Sequence, residues 1–414
     1  MVPGARRSRP EPGSTAGPRT REEPRAPRPA ADRIPDDATE GIAPEEYRAR
    51  VERVRGAVEA AGLAGLIAFG DCWRGANVGY FTGFRPLDGV SDIANALVVL
   101  PAASEPTLVV SEQCLGYAAS VTGFPVRPFR ELGAVLAPLG RRGRVGLAGS
   151  AYLPAPLRDR LGAGLGPATL EATAVLADLK AVKSPAELRL LRRAAALTDL
   201  AMATIRDVLA DGRPHTEREL ARRADAAMLA AGAERPAYDS MVQAGPRSAW
   251  NLARPTDRVL APGDLVMTDI GARYRGYVAD GGRGFTYGPV DAERRAIVEA
   301  AASAVEAGLA AARPGLLATE LNAVIQRALV ESGYERYSGE ARGHGTGHGT
   351  GMDPEEESPW IGPGNRTRLV EGMVFTLKAT ITVPEVGGLR VERIVHLTAT
   401  GVEALDAFPM RLHW

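Results

Sequence analysis

The fold of this chain turns on the stretch TDIGARYRGYVADGGRGFTYG, residues 268–288. Asp269 closes the apolar run LVMTDI, and Asp280 follows eleven residues later, beyond the turn ARYRGY on a second predicted strand. A hairpin of this kind aims both carboxylates at one point, whereas either alone is an ordinary strand-end or turn aspartate. Downstream, RGHGTGHGTGMDPEEE (342–357) sets His344 and His348 four apart among alternating glycines. So many glycines oppose a helix, and on an extended segment residues four apart share a face. The alternative is a loop with incidental histidines. Two strand-like segments close the block, MVFTLKATITV (373–383) and GLRVERIVHL (388–397). Lys378 lies inside the first, where a cation is costly unless a carboxylate partners it. Arg390 and Glu392 share one face of the second. Oxygen and nitrogen donors at the ends of several strands suggest a hard-cation site. The run Glu355, Glu356, Glu357 reads as a solvated face.

The remaining chain supplies the frame. At 414 residues two domains are expected. Basic and acidic residues balance at 50 each, so nothing in the charge suggests nucleic acid or an anionic membrane. Cys72 and Cys114 stand far apart, without metal-knuckle spacing, and fit a reducing cytoplasm. No apolar run reaches membrane-spanning length, and the first residues lack the apolar core of a secretory signal. Residues 1–42, rich in Pro, Arg, Ala and Gly, read as a disordered tail.

From 43 to 178 strand-like runs (LAGLIAFG, ANALVVLP, PTLVVS, RVGLAG) alternate with helical patterns, which predicts an α/β domain. No glycine-rich phosphate loop follows any of them. From 179 to 414 the pattern is a helix pair and then strands, twice over, as an internal duplication with a site between its halves would give. Ser184 to Glu187 is a capping box with proline at the first helical position; Thr216 and Glu219 form a second.

Taken as a set, Asp269 with Asp280, GHGTGHGTG and RVE resemble the pita-bread metallopeptidase superfamily of aminopeptidase P, prolidase, methionine aminopeptidase and creatinase. ANVGYFTGF (76–84) is similar to that family's N-terminal domain and VKSPAELRLLRRA (182–194) to its domain junction. The resemblance implies a creatinase-like α/β domain followed by a pita-bread α+β domain, and a site binding two divalent ions such as manganese, cobalt or zinc. Asp269, Asp280, His348 and Glu392 match four of the five ligand positions. The fifth, a glutamate in the family, is Lys378, and two catalytic histidines are replaced by Leu252 and Glu355.

A protonated lysine has no lone pair for a metal. One ion or none is therefore expected, held by Asp269, Asp280 and Glu392 with His348 in reach, and with Lys378 partnered by Asp280 and Glu392. With these departures the resemblance implies a hydrolase cleaving a C–N bond in a small molecule or short peptide, with Glu355, Lys378 and His344 as candidate catalytic groups and His344 and Arg390 as candidate substrate contacts. The alternatives are a conventional dinuclear Xaa-Pro aminopeptidase-like enzyme and an inactive peptide-binding protein. The resemblance also implies a homodimer.

Overall fold

The computed structural model describes residues 41–140 and 143–411, so nearly all of the expected tail lies outside the described residues. The apolar runs of the first unit form β1 (Gly65–Asp71), β2 (Asn95–Pro101), β3 (Thr107–Val110), β4 (Val126–Pro128), β5 (Arg144–Ala148) and β6 (Thr169–Ala172). They make one mixed sheet in the order β4-β3-β2-β1-β5-β6. Helices α1 (Pro44–Ala60), α2 (Ala76–Thr82), α3 (Leu115–Val121), α4 (Leu132–Leu136), α5 (Ala155–Leu165) and α6 (Val175–Ala181) flank it. The central strands β1, β2 and β3 are apolar and buried along nearly their whole length because both faces are covered. Leu66, Ala68 and Val98 pack with α1 and α2, while Ile67, Phe69 and Leu97 pack with α4 and α5. The expected boundary at 178 falls inside α6.

The second unit opens with α7 (Pro185–Leu209) and α8 (Glu217–Ala230). Ser184 caps α7 reciprocally: its hydroxyl accepts from Glu187 N at 3.2 Å, and Glu187 Oε2 accepts from Ser184 N at 2.9 Å. The second box is only half formed. Thr216 accepts from Glu219 N at 3.1 Å, but the Glu219 carboxylate turns to Arg223 and His215 instead. Then come β7 (Arg235–Pro236), β8 (Met241–Ala244), β9 (Asp264–Ile270), β10 (Ala272–Tyr274), β11 (Tyr277–Val278) and β12 (Gly281–Tyr287). The plan repeats with α9 (Ala292–Ala311), α10 (Ala318–Glu331), β13 (Gly347–Gly349), β14 (Glu356–Ile361), β15 (Val374–Val383), β16 (Gly387–Leu397) and β17 (Val402–Ala404).

The strands of the first half form two three-stranded sheets, β11-β10-β7 and β12-β9-β8; those of the second form β14-β13-β15-β16-β17. Glycines let β12 lie against β16: a Cβ at Gly282 would come within 2.9 Å of the Arg390 side chain and 3.2 Å of Glu392 Cβ. This contact brings the two halves together at the carboxylates. Among the described residues no helix is long and apolar enough to cross a membrane.

Candidate metal site and cavity

Asp269 stands near the end of β9, opposite Gly282. Asp280 is not on a strand, as the sequence pattern suggests, but in the connection from β11 to β12. The short β10–β11 hairpin turns the chain back, with Tyr274 opposite Tyr277, and so returns Asp280 to Asp269. Tyr238 bridges them. Its hydroxyl donates to Asp269 Oδ1 at 2.7 Å and also contacts Asp280 Oδ1. Burial, then Glu392 and Asp269, push the Asp280 carboxyl well above the usual carboxylate range, with Lys378 and the Tyr238 hydroxyl opposing them. Burial, then both aspartates, raise the Tyr238 phenol in the same way.

His348 lies on β13, opposite Trp360 of β14. Its neighbouring glycine has a steric reason: a Cβ at Gly347 would sit 2.1 Å from the Thr376 carbonyl oxygen. The imidazole is buried. Its Nδ1–H donates to the Gly349 carbonyl at 3.2 Å, which leaves the Nε2 lone pair facing acids. Nε2 is 3.4 Å from Asp280 Oδ2, 3.5 Å from Glu392 Oε1 and 3.6 Å from Glu355 Oε1. Burial, with Lys378 adding to it, pushes His348 down to about 3, so the ring is neutral at ordinary pH. His348 Nε2 and both Glu392 carboxylate oxygens are buried without a hydrogen-bond partner. One donor atom each from Asp280, His348 and Glu392 lies within 4.8 Å of the others. Buried acceptors left unsatisfied in this way are unfavourable on their own, and the set fits a divalent cation.

Asp269 belongs to a different arrangement from the one its spacing suggests. Oδ1 is taken by Tyr238 and Oδ2 by the Arg390 guanidinium, so Asp269 is neutralised by a side chain. Arg390 is itself committed: Nη2 donates to Asn251 Oδ1 at 2.8 Å and Nε to Thr380 Oγ1 at 3.2 Å. Lys378 of β15 stands directly opposite Glu392 of β16, on the same face, with Nζ 3.8 Å from Glu392 Oε1. That is its one ion pair among the described residues; the expected pairing with Asp280 is not formed.

Asp269, Asp280, Lys378 and Arg390 open into a cavity of about 290 Å³, lined also by Met241, Leu252, His344 and Glu355. His344 is exposed in the loop before β13, 3.5 Å from Asn251 Nδ2, and does not share a strand face with His348. Partial burial, then Arg390 and Lys378, lower its pKa. Glu355 is exposed at the rim. Its neighbour Glu356 is not part of a solvated face: it is buried in an ion pair with Lys183 at 2.7 Å. Sequence alone marks neither Tyr238 nor Asn251. A lone tyrosine before a strand and an asparagine in a loop carry no spacing signal; only their buried partners reveal them.

The sequence profile described as metallopeptidase family M24 matches residues 189–399. The Xaa-Pro dipeptidase of Pyrococcus furiosus is 30% identical over 331 residues, spanning 80% of this chain and 90% of that protein. Among solved structures, the dipeptidase PepE from Mycobacterium ulcerans superposes with a TM-score of 0.77 at 32% identity, covering 90% of this chain and 98% of that one. The prolidase from Pyrococcus horikoshii gives a TM-score of 0.77 at 26% identity, covering 88% of this chain and 99% of the other.

Proposed function

Because this chain belongs to metallopeptidase family M24, we propose that it is a hydrolase of short peptides or small amides whose site works with a single divalent ion. The observation that carries this reading is Lys378. Its ammonium, opposite Glu392, stands as a permanent internal cation beside the three clustered donors. Asp269, Asp280, Glu355 and Glu392 face Lys378 and Arg390, so one divalent ion neutralises the set. Two would leave excess positive charge in a buried place.

A divalent ion held by Asp280, His348 and Glu392 would supply Lewis-acid polarisation of the amide and activation of water. The chain's own groups do the rest. Glu355, at the rim and 3.6 Å from His348 Nε2, is placed to take a proton from water and pass it to the leaving amine. Lys378 offers donors to a substrate oxygen, whereas Arg390, committed to Asp269, Asn251 and Thr380, holds the frame. Neutral His344 closes the polar wall, and Met241 and Leu252 form an apolar one.

The test is turnover of a panel of Xaa-Pro dipeptides, other dipeptides and small amides by the manganese- or cobalt-loaded protein, with Glu355→Gln alongside. A general base contributes about 10²–10⁴-fold, so the variant should lose activity on that scale. Equal turnover by variant and wild type would remove Glu355 from the mechanism. No turnover on any substrate would remove the hydrolase reading and leave peptide binding. A second reading, a two-ion Xaa-Pro dipeptidase, draws support from the names of the relatives and differs in metal count.

A further inference from the structure

A second cavity, of about 250 Å³, lies at the seam between the two units, lined by Cys72, Arg85, Tyr117, Arg235, Arg273 and Met352. Arg273 is 4% exposed. Its Nη1 donates to two neutral carbonyls, Gly276 at 3.0 Å and Met352 at 2.8 Å, and its Nε is buried with no partner. Directly across the β7–β10 ladder stands Arg235, a like charge on the same face. Arg235 donates to the Cys72 carbonyl at 3.1 Å and lies over the Trp73 ring. Among the described residues neither arginine forms an ion pair. Glu234 does not answer them: it is held bidentately by Arg85, at 2.6 and 2.8 Å. Asp353 is buried nearby, with both carboxylate oxygens on the Ala76 N–H. Asp88, also on the cavity wall, is exposed.

Two facing guanidiniums with no carboxylate in direct contact are costly in a protein interior, and a bound oxyanion would supply the charge-assisted hydrogen bonds that they lack. Burial lowers Arg273 to about 10, with Arg235 and Arg85 adding to it and the Asp353 and Glu234 carboxylates opposing it only in part. We propose that the seam cavity is a binding site for a small oxyanion, a carboxylate or phosphate compound, gripped by Arg273 and Arg235. The volume is below the roughly 300–1,000 Å³ of drug-sized ligand sites, which suits a small metabolite. The hairpin that carries Arg273 also joins Asp269 to Asp280, so an occupant would brace the geometry of the hydrolytic site from behind.

The experiment is thermal unfolding of the full chain in EDTA with increasing inorganic phosphate or succinate, ionic strength held constant with sodium chloride. Wild type should show a saturable rise in Tm with at least one probe, and the more effective probe identifies the headgroup. Arg273→Gln and Arg235→Gln should each weaken the apparent affinity by about tenfold or more. Lys378→Met, in the other cavity, should leave it unchanged. Should Arg273→Gln fail to fold, the half-buried Arg235 decides alone. Absence of a saturable shift with both probes, retention of the full shift in Arg235→Gln, or its loss in Lys378→Met would each overturn the assignment.

Discussion

Lys378 is the residue on which the chemistry turns. Its backbone follows the alternation of an ordinary strand, and its ammonium is 3.8 Å from Glu392 in a nearly enclosed place. Lys378→Glu reverses that charge beside Glu392 and Asp280. The metal-free variant should lose about 3 kcal/mol or more of stability, the range for breaking a buried pair. Manganese should then raise its Tm more than it raises that of wild type, since the new carboxylate adds a ligand and binding is linked to folding. A variant whose Tm ignores manganese would contradict the role given to Lys378. Much of this site was legible in sequence: Asp269, Asp280, His348, Glu392, Lys378 and Arg390 all stand around one point. How they divide was not. Spacing along a strand says nothing about which carboxylate Arg390 reaches, so the separation of Asp269 from the Asp280–His348–Glu392 cluster needed coordinates.

At the scale of elements, β12 against β16 is the joint that sets the site. The side chains of Arg390 and Glu392 come up to Gly282 more closely than a Cβ there would allow without movement. Gly282→Ala should therefore displace both, costing about 1–3 kcal/mol from overpacking and weakening metal affinity by more than the stability loss accounts for. Isothermal titration with manganese checks this; unaltered affinity would mean the joint is looser than the packing indicates. Helix boundaries were readable because caps are local: Ser184 and Glu187 close their box within one turn. The Glu219 half of the second box failed because His215 and Arg223 compete for its carboxylate, and His215 reaches it from outside the helix. Glu356 departs from the solvated face that its acidic run suggests for a similar reason: its partner, Lys183, is distant in sequence and meets it only in the fold.

At the scale of the whole molecule, the two units are joined through buried charge. Arg50 of α1, fully buried, meets Glu46 at 2.7 Å and Glu187 of α7 at 3.4 Å. Across the same seam Asp353 accepts from Ala76 N, and burial pushes its carboxyl up to about 6 despite the opposing pull of Lys180. A carboxyl raised in the folded state holds a proton there that the unfolded chain has released. Its contribution to stability thus falls as pH rises from about 4 to 6, by at most about 3 kcal/mol, and the cost persists above that. Asp353→Asn keeps an acceptor for Ala76 and removes the titration. It should exceed wild type in Tm at pH 7.5, with the advantage vanishing near pH 4; parallel pH profiles would contradict this. The two-unit plan was visible in the switch from alternating strands and helices to paired helices, but the seam was not, because none of its contacts is local.

The central claim is that a lysine stands where a second ion would otherwise be held. Elemental analysis of the 414-residue chain, saturated with manganese and then freed of excess by gel filtration, tests it most directly. One ion per chain is the predicted result, falling to none in Glu392→Gln. Two tightly held ions per wild-type chain would contradict the account.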